Sequence, residues 1–260
     1  MKIKMVRVNP AGNITIFVMS PVPTEQRTEL ASKIMALTEL HVEQVGFLCP
    51  PAQGSQGRME MAGGEFCGNA TRAFGMLLAQ QQGSNQPIQV EVSGCDHPVM
   101  VDVDMEEGTA RSEMPLPLWT KAVEINGAKG TLVHLGGIAH LVVENVTPNQ
   151  DFFDGAEPIF SDIPGLDAYG VIFLEPETSK MTPLVKVPAS NTMIWEGSCG
   201  SGSLACVVAQ SETTPDGTVT HQYIQPAGVV EATVERQGGK VVSAYIGGPV
   251  LLDEPMEIEL

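Results

Sequence analysis

The chain has 260 residues, 43% of them hydrophobic, core enough for one large domain or two small ones. Its 31 acidic and 14 basic residues give a formal charge of -17, which argues against nucleic acid or an anionic membrane surface as a partner. Cys49, Cys67, Cys95, Cys199 and Cys206 are an odd set of five, with no run of transmembrane length and no apolar signal core, so reduced thiols and a cytoplasmic location are expected.

In chain order, Met1 to Val8 alternates polar and apolar residues as a strand does, turns at Asn9-Pro10-Ala11-Gly12, and resumes as a strand from Asn13 to Val18. Pro21 and Pro23 close it. A helix opens at Thr24, read as its N-cap, with Leu30, Ile34 and Leu37 at helical spacing. Glu43 to Leu48 is a short apolar strand, and Arg58 to Met61 alternates as an edge strand would.

Next comes Gly63-Gly64-Glu65-Phe66-Cys67-Gly68-Asn69-Ala70-Thr71-Arg72, a small-residue loop running into the apolar helix of Ala73 to Ala79, which ends near Gly83. A thiol there lies beside the unpaired N-H groups of the first helical turn, which favour an anion: its own thiolate or a substrate carboxylate. Glu65, two residues before Cys67, reads as a cap on the helix dipole, with tuning of the thiol's pKa as the alternative. Strands at Ile88 to Val92 and Pro98 to Asp104 flank Ser93-Gly94-Cys95-Asp96-His97, and Glu106-Glu107-Gly108 makes an acidic, solvated hairpin. Cys95 and His97 are two metal-ligand types without further partners, so no metal is expected. The recurrence of strand and turn signals points to a mixed α+β sandwich or barrel, unlike a doubly wound sheet.

The second half repeats this grammar. Glu196-Gly197-Ser198-Cys199-Gly200-Ser201-Gly202-Ser203 leads into the apolar run Leu204 to Ala209, with Cys199 lying 132 positions after Cys67. Cys206, inside that run, reads as core, and Cys49 as inert. Gly94 lies 27 past Cys67 and Gly228 lies 29 past Cys199; Val99 to Val103 answers Val229 to Val234, and Asn13 answers His140 at an offset of 127. Near-constant offsets imply two homologous lobes, 1–117 with Cys67 and 118–260 with Cys199, sharing one cleft. Two opposed thiols suit inversion of a carbon centre: one thiolate removes a proton from one face while the other thiol donates to the opposite face. The helix N-termini offer donors to a substrate carboxylate as charge accumulates on it.

With Cys67-Gly68-Asn69 and Cys199-Gly200-Ser201-Gly202 each heading a helix, Gly12-Asn13 near the start, and the contexts of Gln44 and His140, the chain resembles the diaminopimelate epimerase superfamily over nearly its whole length. The resemblance implies a cofactor-independent α+β protein of two pseudo-symmetric lobes, each a mixed sheet or barrel wrapped on a central helix. It implies Cys67 and Cys199 as the two bases, Gly68, Asn69, Gly200 and Ser201 around the α-carboxylate, and Asn13, Gln44 and His140 lining the site. Departures from the epimerases narrow the substrate. Ile138-Ala139 stands where they carry Asn-Pro, no Arg precedes Cys199 in Trp195-Glu196-Gly197-Ser198, and the loop before Cys67 lacks their Asn. A second zwitterion would enter with its charges unpaired. The short loop is similar to that of amino-acid racemases of the same fold, the histidine racemases nearest. Histidine is thus the first expectation for substrate, diaminopimelate the alternative, and Glu196 a partner for its ammonium or imidazole. A reading from another class makes the two thiols a reversible disulfide sensor, although neither belongs to a Cys-X-X-Cys element. A small-molecule substrate and a homodimer are the expected partners.

Overall fold

The computed structural model describes residues 2–188 and 192–260. Those residues form four α-helices and eighteen strands, a sheet-dominated α+β fold. They divide into two compact units, Met1–Glu113 with Gly247–Leu260, and Met114–Ile246.

In the first unit the strands are β1 (Lys2–Asn9), β2 (Thr15–Val18), β3 (Gln44–Cys49), β4 (Gly57–Met61), β5 (Ile88–Val92), β6 (Val99–Asp104) and β7 (Thr109–Glu113). β1 pairs antiparallel with β2 through the tight turn at Asn9 to Gly12, where Ala11 and Gly12 both take positive φ. Helix α1 (Thr24–Met35) is the crossover to β3, which runs parallel to β2. β3 and β4 pair antiparallel; helix α2 (Gly68–Gln82) then crosses to β5, parallel to β4, and β5, β6 and β7 follow as antiparallel neighbours.

The second unit repeats that succession. β8 (Trp119–Ile125), β9 (Ala128–His134) and β10 (Ile138–Glu144) are antiparallel; α3 (Gln150–Ala156) crosses to β11 (Ala168–Glu175), parallel to β10. β11 and β12 (Lys180–Val187) pair antiparallel, with β13 (Thr192–Trp195) on β12. Helix α4 (Gly200–Ser211) crosses to β14 (Gly217–Gln225), which meets β12 in parallel at Lys180 and Ile224 and pairs antiparallel with β15 (Gly228–Gln237). Each cysteine-headed helix is thus the second crossover of its unit; α2 makes the long connection that the parallel pair β4 and β5 demands, while α4 brings the chain from β13 back to run parallel to β12. The division between units falls inside β16 (Lys240–Pro249).

Residues 247–260, expected with the second lobe, lie instead with the first: β17 (Leu251–Leu252) and β18 (Met256–Glu259) both pair with β1. β4 is no edge strand, since β3 and β5 flank it; its alternation reflects one buried and one half-buried face. Thr24 is the first residue of α1 rather than its cap, because Pro23 takes the cap position without a side-chain hydrogen bond. Met1 lies outside the described residues.

The core of the first unit is built on α2, buried from Gly68 through Ala79 and surrounded by Val6, Phe17, Met59, Val90 and Val101. A helix enclosed on all sides needs no polar stripe, which is why its sequence reads as an unbroken apolar run. Val101 presses so closely on Gly75 that a Cβ there would strike it. Gly83, at φ +64, ends the helix in the left-handed conformation usual for a glycine cap. In the second unit α4 is likewise buried over Gly202–Val208.

Candidate active site

Cys67 and Cys199 are the N-cap residues of α2 and α4, with nearly the same backbone: φ -128 and ψ 107 at Cys67, φ -118 and ψ 107 at Cys199. Each sulfur accepts the backbone N-H three residues on, from Ala70 at 3.4 Å and from Gly202 at 3.3 Å. Each cysteine carbonyl accepts a hydroxyl four residues on, from Thr71 and from Ser203, both at 2.8 Å. An N-cap side chain normally offers oxygen to these donors; here sulfur takes the place, and the donors favour its anion. The cap on α2 is therefore the thiol itself. The Glu65 carboxylate lies close to Gly63, and the backbone carbonyl of Glu65 accepts the Ser93 hydroxyl at 2.8 Å.

Around Cys67, the thiol lies 3.9 Å from Asn13 Oδ1, and Asn13 Nδ2 donates to Glu43 Oε2 at 3.0 Å. Burial raises the Glu43 carboxyl above its usual range, and the Asn13 bond opposes that. Gln44, next in sequence, keeps its Oε1 buried without a hydrogen-bond partner among the described residues. Gly68 and Asn69 open α2, and Asn69 Oδ1 accepts Arg72 Nε at 3.2 Å.

Around Cys199 the shell is tighter. The backbone N-H of Cys199 donates to Gln225 Oε1 at 2.6 Å, and Gln225 Nε2 donates to Ser203 Oγ at 2.9 Å, so one buried amide holds both sides of the cap. Ser201 Oγ lies 3.5 Å from the Cys199 sulfur and 2.8 Å from His140 Nε2. Burial lowers His140 to a pKa of about 3, so it is a neutral imidazole at physiological pH. Its Nδ1 is buried with no hydrogen-bond partner among the described residues, so the proton is better satisfied on Nε2, which leaves the Ser201 hydroxyl proton to point at sulfur. Burial, and then the Glu196 carboxylate, push the Cys199 thiol well above the ordinary range, while Ser201 and the Gly202 N-H act the other way.

Of the residues singled out in the sequence, Asn13, Gly68 and Asn69 gather at Cys67, and His140, Glu196, Gly200 and Ser201 at Cys199. Glu43, Arg72 and Gln225 were missed. A hydroxyl four residues after each cysteine was readable by aligning the two helix starts; Gln225, 26 residues past Cys199, carries no such signal. Cys206 is core, its thiol raised by burial, and Cys49 accepts from Arg27 Nη2 at 3.3 Å. Cys95, Asp96 and His97 are grouped as metal ligands could be, with His97 Nδ1 2.8 Å from Asp96 Oδ1 and the Cys95 sulfur 3.8 and 3.9 Å from the two ring nitrogens. A cavity of about 500 Å³ beside that turn is bounded by Arg27, Arg58, Glu60, Cys95 and His97, not by Cys67. All five cysteines are free thiols. Among the described residues no helix is long and apolar enough to cross a membrane.

Known proteins share this arrangement of chain. A histidine racemase of Fusobacterium nucleatum subsp. nucleatum is 30% identical over 258 residues, covering 94% of this chain and 92% of that one. A histidine racemase of Staphylococcus aureus is 28% identical over 257 residues, covering 90% and 89%. In fold, a predicted epimerase from Pseudomonas aeruginosa superposes with a TM-score of 0.69 at 11% identity, covering 98% of each chain. The family described as Histidine racemase CntK N-terminal domain matches residues 2–253, and the chain belongs to it.

Proposed function

We propose that this isomerase inverts the Cα of free histidine without a cofactor, using Cys67 and Cys199 as a two-base pair. The matched N-caps, each holding a sulfur on the N-H three residues ahead, are the observation that carries the reading. Two such sulfurs brought to opposite faces of one Cα would meet the stereochemical demand of the reaction. The thiolate on one side takes the Cα proton, and the electron pair left behind spreads into the carboxylate. The helix N-H groups, with Asn69, stabilise that charge as it grows, while Ser201 keeps its proton directed at the Cys199 sulfur. The opposite thiol then protonates Cα from the other face and is left as the thiolate, so the two cysteines exchange roles with each turnover.

Histidine is favoured over a diaminocarboxylate because Ile138 and Ala139 offer no amide and Glu196 is the charged side chain nearest Cys199 in sequence. An ammonium or imidazolium group paired with Glu196 would also relieve the carboxylate's hold on the Cys199 proton. The test is incubation of L-histidine and of diaminopimelate in D₂O, with chiral chromatography and mass spectrometry. Deuterium entering at Cα together with D-histidine is expected, and both are lost in Cys67→Ser and Cys199→Ser. Full activity in either variant would overturn the two-base reading, and activity confined to diaminopimelate would overturn the substrate.

A further inference from the structure

The two helix starts share their capping bonds at the third and fourth residues after each cysteine and part at the fifth. The sulfur bonds and the hydroxyl bonds match; then the first helix carries Arg72 and the second carries Leu204. Both side chains are fully buried. The Arg72 guanidinium donates from Nε to Asn69 Oδ1 at 3.2 Å and from Nη1 to the carbonyls of Gly248 and Pro249, each at 2.9 Å. None of these three acceptors is an anion, and Nη2 is buried with no partner among the described residues. A charge removed from water normally has an opposite charge beside it.

We propose, resting on the two-base reading, that Arg72 is a positioning residue that makes the two thiols unequal: its buried positive charge keeps Cys67 as the resting thiolate and leaves Cys199 to hold the resting proton. The resting enzyme then begins with Cys67 as base, the Cα proton passing to its sulfur and the Cys199 proton passing to Cα. Before the next identical turnover, the proton on Cys67 must return through solvent to Cys199.

Several groups act on Cys67. Arg72, buried in the helix that Cys67 heads and five residues along it, and the Ala70 N-H favour its anion; Asn13 Oδ1 at 3.9 Å and the Glu43 carboxyl behind it oppose that, as does any charge on Glu65 two residues earlier. The Asn13 contact is long and Glu43 is itself pushed toward its neutral form by burial, which leaves Glu65 as the charge that Arg72 has to outweigh. Arg72 remains charged at physiological pH: burial lowers its pKa to about 10, with the Cys67 anion acting to raise it. At Cys199 the balance is reversed, because burial and Glu196 both favour the thiol and Leu204 supplies no charge.

The test is alkylation by iodoacetamide across pH, followed at each cysteine by mass spectrometry. The midpoint is read rather than the rate, because Cys199 is less exposed. In the unaltered protein Cys67 should have its midpoint below that of an unperturbed thiol and at least about one pH unit below Cys199. Arg72→Leu, which copies the second helix, should raise the Cys67 midpoint by about one unit or more. Arg72→Lys should restore most of that shift, and neither should move Cys199; circular dichroism confirms folding. If Arg72→Leu does not fold, the order in the unaltered protein and the Arg72→Lys midpoint still decide. A Cys67 midpoint at or above that of Cys199, or one unmoved in folded Arg72→Leu, would overturn the proposal. Alkylation needs no turnover, so absent racemisation with this order intact would sink the two-base reading and leave the charge asymmetry standing.

Discussion

Ser201 Oγ stands between His140 Nε2, at 2.8 Å, and the Cys199 sulfur, at 3.5 Å, linking a neutral buried imidazole to a helix-capping thiol through one hydroxyl. Ser201→Ala removes the donor that favours the Cys199 thiolate and strands the His140 N-H. A hydrogen bond to an ionised group contributes about 1.5–3 kcal/mol, so kcat should fall roughly 10- to 100-fold in both directions of racemisation. Steady-state rates with L- and D-histidine check this; an unchanged kcat would remove Ser201 from the reaction.

His140 also makes stability depend on pH. Its folded pKa of about 3 lies below its unfolded value near 6.5, so between those values the unfolded chain binds a proton that the folded one refuses. Its contribution is full above the unfolded value and declines as pH falls through that window, by at most about 1.4 kcal/mol per pH unit. Urea melts at intervals from pH 7 to 4 should show the decline. His140→Asn should flatten it, and an equally steep decline in that variant would assign it to other groups.

Gln225 closes the α4 cap from both sides. Gln225→Leu leaves the Cys199 N-H and the Ser203 hydroxyl without their present amide partner inside the protein, at a cost of about 1–3 kcal/mol each. A fall in Tm of roughly 4–24 °C is expected by calorimetry. A melt within a degree of the parent protein would mean that the pocket repacks or admits water.

Glu196→Gln should move the two properties of its neighbour apart. Removing the carboxylate takes away a cause of the raised Cys199 pKa, so the pH midpoint for alkylation of Cys199 should fall. The KM for histidine should rise because the substrate cation loses its partner. A lowered midpoint with unchanged KM would place Glu196 beside the thiol but away from the substrate.

Gly94 offers a test of how the Cys67 loop is held. It sits at φ +72, and a Cβ would strike the backbone of Glu65 and Phe66, immediately before Cys67. Gly94→Ala should therefore lose both stability, by more than about 1 kcal/mol, and racemase activity. Activity retained in full would show that the loop can shift without disturbing the thiol.

Much of this was legible in the sequence because the chain states its plan twice. The strands around Ile88, Val99 and Val229, the glycine stop at Gly83 and both helix-heading cysteines follow from periodicity, turn residues and repeated spacing. The membership of residues 247–260 was not legible. Strand pairing between β1 and β18 leaves only alternation behind, and alternation names no partner. Arg72 escaped for a related reason. A basic residue early in a helix reads as solvent-facing, and only its acceptors Gly248 and Pro249, far along the chain, reveal that it is enclosed.

Those acceptors also impose a timetable. Gly248 lies 176 residues after Arg72, so at ordinary rates of synthesis the ribosome needs roughly 9–35 s to make the carbonyl that Arg72 must reach. Over that interval α2 carries a guanidinium that cannot yet be enclosed, and the helix headed by Cys67 cannot reach its final packing. The residues headed by Cys199 complete their own unit by Ile246, two positions sooner than Gly248. The unit written first is thus finished last, and a nascent chain paused before residue 248 would leave Arg72 without its Gly248 and Pro249 acceptors.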